Sequence, residues 1–110
     1  MWTVNGDIYE RQADLCSVFS NPKRLQILDV LQDGEEQTVS AIQDATGIPQ
    51  STVSRHLKLM RDRGVLKKRE DGVYNYYVLT DERIADGMNT MRDVLVDQLE
   101  RDTDLLASER

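Results

Sequence analysis

The sequence predicts a mainly α-helical domain with one small β-hairpin, in the order α-α-α-α-β-β-α. Apolar residues recur at helical spacing in five stretches of the 110-residue chain. An Asp-Gly turn at Asp71-Gly72 separates two runs of strand-forming residues, which is a strong hairpin signal. The breaks between these stretches are short and carry helix-capping residues, so 1–110 is expected to form a single domain.

The first two helices are separated by a capping dipeptide. A helix is predicted over 7–20, where the apolar residues at helical spacing are Ile8, Leu15 and Phe19. Asn21-Pro22 provides an N-cap followed by proline at the first helical position. A second, heavily buried helix is therefore predicted over about 22–32.

A helix, a tight glycine turn and another helix are predicted over 38–63. Thr38 can cap the third helix and Gly47 ends it. Its inward residues are expected to be Val39, Ile42 and Ala45. The fourth helix runs over about 50–63, and the residues of its core face are Val53, Leu57 and Met60.

A hairpin and a long helix complete the chain. The hairpin spans 65–79, with strands expected over 65–69 and 73–79. Thr80 can cap the last helix, predicted over about 81–105. The apolar stripe of this helix consists of Ile84, Met88, Met91, Leu95 and Leu99. A helix-turn-helix followed by a hairpin is the arrangement of a winged helix-turn-helix.

The fourth helix carries a polar face suited to DNA. At 100° per residue, Ser51, Arg55, Lys58 and Asp62 lie opposite Val53, with Ser54 beside them and Gln50 at the N-terminal tip. Glutamine can pair bidentately with adenine and arginine with guanine. The alternative is an ordinary solvated face.

The charge distribution supports DNA binding despite a net charge of -6. Residues 49–79 hold seven Lys/Arg against three acidic residues, whereas 1–48 and 80–110 each carry a net charge of -5. A local positive field matters more for binding than total charge. Ordinary surface scatter is the alternative explanation.

The hydroxyls and histidine of STVSRHLKLM raise the alternative of an enzyme. His56 lies toward the core edge of the helix, away from Ser51 and Ser54, and only Thr52 shares its flank. His56 is expected to be a structural residue, with a phosphate contact as the alternative. With one histidine, one cysteine and no nucleophile elbow, no catalytic activity is expected.

The composition and the N-terminal sequence indicate the cellular location and the kind of host. No apolar run approaches the length of a membrane span, and the N-terminus lacks the order of a signal peptide, so a cytoplasmic protein is expected. Thirteen Asp against seven Glu, and ten Arg against four Lys, resemble the composition of proteins from salt-loving archaea.

The stretch VSAIQDATGIPQSTVSRHLKLMRDRGVLKKREDGVYNYYVL closely resembles the winged helix-turn-helix of ArsR/SmtB-like transcriptional regulators. The shared features are Thr46-Gly47 at the turn, Gln50 through Leu57, Gly64 after the recognition helix, and Tyr76-Tyr77-Val78-Leu79 closing the wing. SNPKRLQILDVL also looks like the family's second helix, so the resemblance covers about 8–100.

The resemblance implies a homodimer that binds a pseudo-palindromic DNA operator. Repression is the expected action, with activation as the alternative. It implies that Gln50, Ser51, Ser54 and Arg55 read the major groove. The full set of expected DNA-contacting residues is Gln50, Ser51, Thr52, Ser54, Arg55, Lys58, Lys67, Lys68 and Arg69. Dimerisation is expected through 7–20 and 81–105, and the expected interface residues are Ile8, Leu15, Phe19, Ile84, Met88, Met91, Leu95 and Leu99. Packing of the last helix on the first within one chain is the alternative.

The sequence departs from the family where its metal sensors bind their ions. Thr38 and Ser40 occupy the positions of the Cys-x-Cys pair, and 81–105 contains no histidine, so no metal or other cofactor is expected. Cys16 is the remaining candidate sensor, by oxidation to a disulfide or a sulfenic acid, with a small buried hydrophobe as the alternative. The effector is not indicated.

The wing tip departs from what a DNA-binding wing would carry, and a second function class stays open. Glu70-Asp71 places two acids at the wing tip, where a DNA-tracking wing would carry bases, so the tip stands away from the duplex or ions mediate its contacts. The alternative to a regulator is a winged-helix protein-interaction module without specific DNA binding, in which the fourth helix faces a protein instead of DNA.

Overall fold

The computed structural model describes residues 6–108, which form five α helices and a three-stranded antiparallel sheet. The helices are α1 (Gly6–Cys16), α2 (Pro22–Leu31), α3 (Val39–Thr46), α4 (Gln50–Asp62) and α5 (Arg83–Ser108). The strands are β1 (Gln37–Thr38), β2 (Leu66–Asp71) and β3 (Tyr74–Leu79). Residues 1–5 and 109–110 of the predicted domain lie outside this description. The predicted winged helix-turn-helix class is confirmed, with one additional strand.

The first helix is shorter than predicted. It ends at Cys16 and is followed by a 3₁₀ turn over Ser17–Phe19, whereas the sequence suggested a helix over 7–20. The Ser17 hydroxyl donates to the Asp14 carbonyl, and the Ser20 amide donates to the Ser17 carbonyl at 3.1 Å. These i to i+3 contacts tighten the last turn before the chain extends at Asn21.

The predicted helix caps of α2 and α3 are confirmed. The Asn21 side-chain oxygen accepts from the amides of Lys23 and Arg24, and the Thr38 hydroxyl accepts from the Ala41 amide. One inward residue of α3 was predicted wrongly. Ile42 is buried and Val39 half-buried, but Ala45 is exposed because it lies on the side of α3 that faces away from the core.

The sheet has the order β1-β3-β2, and β1 was not predicted. Gln37 pairs with Tyr77 and Thr38 with Tyr76, so a two-residue strand joins the hairpin to the start of α3. In the hairpin, Asp71 pairs with Tyr74 and leaves Gly72 and Val73 as the turn. The predicted strand limits were therefore shifted: β2 extends to Asp71, and Val73 belongs to the turn. Gly72 has a φ of +61°, as the first turn position of a type II′ hairpin requires.

The start of α5 is capped by a different residue from the one predicted. The Thr80 hydroxyl donates to the Gly64 carbonyl at 2.7 Å, whereas the Asp81 carboxylate accepts from the Arg83 amide at 2.9 Å. The Arg83 guanidinium also contacts Asp81 at 2.7 Å and holds the pKa of that carboxyl at about 2. The helix consequently begins at Arg83 and reaches Ser108, instead of spanning 81–105.

One core joins the 3₁₀ turn, α2, α3, α4, the hairpin and the first part of α5, whereas α1 contributes no buried residue to it. Its fully buried members include Ile27, Leu28, Leu31, Ile42, Val53, Leu57 and Met60. Met88 is also in this core, at 3 % exposure, so the prediction that it lies at a dimer interface is wrong for the described subunit. Met88 lies in the first half of α5, where the helix still packs on the rest of the subunit.

The subunit is elongated because α5 projects from it. The Cα radius of gyration is 17.1 Å, against about 13 Å for a compact chain of this length. Every described side chain from Thr90 to Thr103 is exposed. The distal part of α5 is therefore largely exposed on its own subunit, although Arg92 still binds Asp29 of α2.

Candidate nucleic-acid interface

The outer face of α4 carries the predicted DNA-reading residues. Gln50, Ser51, Ser54, Arg55 and Lys58 are all exposed, and Thr52 is half-buried on the flank. On the opposite face Val53, Leu57 and Met60 have no exposed surface. Burying these three fixes the rotation of α4, so the polar residues are held pointing away from the core. The structure brings together all six residues predicted for this helix.

The turn before α4 leaves its N-terminus open. Gly47 ends α3 with a φ of +73°, a conformation that glycine adopts without a steric penalty. The Thr46 hydroxyl accepts from the Ile48 amide, and Ile48 is buried. Pro49 occupies the N-cap position of α4, where no side chain caps the helix. The positive end of the helix dipole is therefore available to a phosphate beside Gln50.

Carboxylates accompany several of the basic residues near α4. Lys58 contacts Asp62 at 3.2 Å, one turn along the helix, and both are largely exposed. Arg63 contacts Asp14 of α1 at 3.5 Å. In the described part of the chain, no carboxylate lies within the 4.0 Å ion-pair distance of Arg55. Arg55 is thus the basic residue of the reading face with its guanidinium available for a ligand.

Two of the three basic wing residues are also paired. Lys68 contacts Glu70 at 3.2 Å. Arg69 Nε and Nη2 donate to the two Glu36 oxygens at 3.0 and 2.8 Å, and its guanidinium lies 4.5 Å from the centre of the Tyr76 ring. The Arg69 hydrogen bonds lower the pKa of Glu36. Sequence reasoning missed Glu36, which lies far from the hairpin in the chain. Only Lys67 of the predicted wing residues is both exposed and outside the described ion pairs.

A separate apolar surface lies on α1 and the distal part of α5. Met91, Leu95 and Leu99 are 64 %, 51 % and 55 % exposed, and Leu15 of α1 is also exposed. Sequence reasoning missed Tyr9, an exposed aromatic residue on α1. Of the other predicted interface residues, Ile8 is half-buried, and Phe19 and Ile84 pack against the core.

Polar contacts fix the direction in which α5 leaves the subunit. Arg92 donates two hydrogen bonds of 3.0 Å to the Asp29 carboxylate of α2. One turn earlier, the Asn89 amide donates to the Gln32 side chain at 3.0 Å. Neither pair was foreseen, because each joins residues distant in sequence. Together they attach α5 to α2 beside the exposed apolar stripe.

Cys16 is exposed, so the prediction that it is a small buried hydrophobe is wrong. Its side chain lines a cavity of about 470 Å³ between the end of α1, the base of the hairpin and the start of α5. Apolar residues dominate the lining, among them Leu15, Phe19, Val65 and Ile84. Asp81 and Arg83 at its rim bind each other.

The described residues show neither a membrane-spanning helix nor a metal-binding cluster. No helix among them is long and apolar enough to cross a membrane. No cluster of three or more His, Cys, Asp or Glu side chains within 6–108 has an arrangement that could hold a metal ion.

Known proteins with similar sequences and folds are regulators. A family described as a helix-turn-helix domain matches residues 19–69. The uncharacterized HTH-type transcriptional regulator MJ1325 of Methanocaldococcus jannaschii is 35 % identical over 78 residues, which cover 71 % of this chain and 88 % of that protein. The transcriptional repressor PagR of Bacillus anthracis is 35 % identical over 75 residues, covering 68 % of this chain and 75 % of PagR.

The fold is also similar to a solved dimer. The homodimeric winged helix-turn-helix DNA-binding domain of Mb0332 from Mycobacterium bovis superposes with a TM-score of 0.76 and 29 % identity. The match covers 92 % of this chain and 95 % of that domain. The similarity therefore extends beyond the helix-turn-helix to nearly all of this chain.

Proposed function

This chain belongs to the winged helix-turn-helix transcriptional regulators and binds DNA, and we propose that it acts as a homodimeric repressor on a pseudo-palindromic operator. The observation that carries the proposal is the outer face of α4. Its uncapped N-terminus, Gln50, Ser54 and Arg55 present hydrogen-bonding groups that match base edges and phosphates. The partner is double-stranded DNA, and we place the protein in the cytoplasm, where that DNA would lie.

Gln50, Ser51, Ser54 and Arg55 are proposed to read bases in the major groove. Thr52, on the edge of this face, is proposed to contact the phosphate backbone. Lys58 is proposed to make a weaker phosphate contact, because it already binds Asp62 at 3.2 Å. In the wing, Lys67 is proposed as the main phosphate contact, because Lys68 and Arg69 already bind Glu70 and Glu36. The wing therefore contributes less charge to the complex than its sequence suggested.

The dimer is proposed to form through the apolar surface of α1 and α5. Met91, Leu95 and Leu99 form a stripe that the subunit itself leaves exposed, and a second copy related by a twofold axis would cover it. The Mb0332 domain, which is homodimeric, supports the formation of a dimer. The proposed interface keeps Ile8, Leu15, Phe19 and Ile84 at its edge, adds Tyr9 and omits Met88.

Repression is proposed from the relatives and from the mode of binding. PagR is a transcriptional repressor with a similar sequence. A dimer of this kind that occupies an operator overlapping a promoter blocks access of the transcription machinery without any enzymatic step. The operator itself would be identified by mapping bound sites across the host genome.

Arg55→Ala tests operator recognition. Removing a bidentate contact to guanine should cost about 1–3 kcal/mol per half-site and relax the preference at one base position. Arg101→Ala is the matched control, since it removes one positive charge from α5, away from α4. Fluorescence anisotropy on operator and scrambled duplexes should show weaker specific binding for Arg55→Ala only. Equal binding of both duplexes by the wild type would favour a protein-interaction module.

A redox response through Cys16 is a second proposal, supported by the exposure of this thiol at the end of α1. Two Cys16 thiols, one from each subunit, would form a disulfide. Their two hydrogens and two electrons would reduce one hydrogen peroxide to two waters. Non-reducing electrophoresis and operator binding, with and without peroxide, should differ between wild type and Cys16→Ser. The same affinity in all four samples would remove Cys16 as a sensor.

A further inference from the structure

Arg24 of α2 connects the end of α1 to the recognition helix. Its Nη2 donates to the Ser17 carbonyl at 3.1 Å and its Nε donates to the Val18 carbonyl at 3.2 Å. Its Nη1 lies 3.5 Å from Nδ1 of His56 in α4. One half-buried guanidinium therefore contacts the 3₁₀ turn after Cys16 on one side and the inner flank of α4 on the other.

The contact with His56 defines the state of the imidazole. Arginine has only donors, so Nδ1 must accept and the proton of a neutral ring must be on Nε2. His56 is 7 % exposed, and it is the buried polar side chain of the described core. Burial lowers the pKa of His56, and the positive charges of Arg24, Arg55 and Lys23 lower it further. These are the charged groups that act on the ring from α2 and α4.

The position of His56 gives this contact a functional consequence. His56 follows Arg55, whose side chain is on the reading face, and it lies one turn after Thr52. Any movement of His56 therefore moves the backbone that carries Arg55. The buried side chains Val53, Leu57 and Met60 fix the rotation of α4 by apolar packing, whereas the Arg24 contact ties α4 by hydrogen bonds to the segment that leads into the proposed dimer surface.

We propose that Arg24 is a positioning residue, which acts through neutral His56 to hold the recognition helix in its DNA-binding position relative to α1. The proposal rests on the operator binding proposed above. It assigns to Arg24 and His56 a role in affinity although neither contacts DNA. Protonation of His56 removes the acceptor and places a positive ring beside Arg24, so the contact is lost at low pH.

The sign of the pH dependence separates this role from a direct DNA contact. An additional positive charge near DNA ordinarily strengthens binding to phosphates. Here, acid should weaken binding instead. His56 is the chain's one histidine, so between pH 5 and pH 7 few other side chains titrate.

Three variants test the proposal. Arg24→Lys keeps the charge but loses the forked donors that contact both carbonyls and the ring. His56→Leu removes the acceptor at similar bulk. His56→Asn is the conservative variant, because its Oδ1 takes the place of Nδ1 and cannot be protonated. Circular dichroism melting and sedimentation establish for each variant that the fold and the dimer are retained.

The operator affinities of the wild type and the three variants at pH 7 and pH 5 test the role of Arg24. We expect about tenfold weaker binding for Arg24→Lys and His56→Leu at pH 7, from the loss of one positioning contact of ordinary strength. His56→Asn should bind within about threefold of wild type. Wild-type affinity should fall about fivefold or more at pH 5, whereas that of His56→Asn should not change.

The same binding measurements separate an error in the role of Arg24 from an error in the proposed function. If the wild type does not bind DNA specifically, operator recognition itself is wrong. If the wild type binds its operator and all three variants match it at both pH values, or if acid strengthens wild-type binding, Arg24 does not position α4.

Discussion

Raising the salt concentration should weaken operator binding less steeply than the number of basic residues suggests, because most of those around the interface are already paired. Seven Lys/Arg lie in residues 49–79. Four of them, Lys58, Arg63, Lys68 and Arg69, contact carboxylates at 2.8 to 3.5 Å. The other three, Arg55, Arg61 and Lys67, have no carboxylate within 4.0 Å in the described part of the chain.

The expected magnitude follows from counterion release. Each neutralised phosphate contributes about 0.9 to the slope of log K against log salt. Three unpaired basic residues per subunit give a dimer a slope of at most about 5, whereas all seven would give about 13. Between 50 and 200 mM salt these slopes correspond to losses of about 10³ and about 10⁸ in affinity.

Fluorescence anisotropy with an operator duplex, titrated at several salt concentrations, measures this slope. Lys67→Ala should reduce it by about 1 for each half-site. Lys68→Ala is the matched control on the same strand and should change it little, since Lys68 already binds Glu70. A wild-type slope near 13, or equal effects of the two variants, would contradict this prediction. Either result would mean that the ion pairs open on DNA and that the paired residues also neutralise phosphates.

Three further predictions concern assembly and stability. Leu95 is 51 % exposed, so burying this exposed part of its side chain in the dimer contributes about 1 kcal/mol per subunit. Leu95→Ala should therefore weaken the dimer about 30-fold in sedimentation equilibrium. Asp97→Ala, on the opposite face of α5, should leave the dimer affinity unchanged. Asn21→Ala should lower the free energy of unfolding in urea by about 1 kcal/mol, because Asn21 caps α2, and Asn21→Ser should restore most of it. Arg83 lowers the pKa of Asp81 to about 2. The ionised Asp81 carboxylate therefore stabilises the folded protein fully above the ordinary carboxyl pKa, and this contribution is lost as the pH falls through 2. The free energies of unfolding of wild type and Asp81→Asn, measured in urea, should differ near pH 6 and converge near pH 2.

The features predicted correctly from the sequence depend on local chemistry. Asn21, Thr38 and Gly47 act on amides or carbonyls within four residues of themselves, so their roles can be read from the adjoining sequence. The outer face of α4 follows in the same way from the helical period, given that Val53 and Leu57 are buried. The order of elements and the exposure of the outer face of α4 were therefore accessible without any tertiary information. That its residues read DNA stays a prediction.

The features predicted wrongly or missed depend on contacts between distant segments. The two residues of β1 are a strand only because Tyr76 and Tyr77 pair with them. The apolar stripe of α5 runs without a break through Met88 and Leu95, and helical spacing cannot show that the core of the subunit ends between them. Met88 was for this reason assigned to the dimer surface.

The same distinction applies to charge, and it changes how the DNA-binding surface is understood. A count over residues 49–79 gives a net charge of +4, but Asp14 and Glu36, which lie outside that range, each bind one of its arginines. Adding these two carboxylates halves the local excess. Long-range attraction therefore accounts for less of the affinity than the sequence implied. Directed hydrogen bonds from the outer face of α4 must account for more, and these depend on the angle at which α4 is held. Residues that position this helix, such as Arg24, are therefore expected to affect binding alongside the residues that contact DNA.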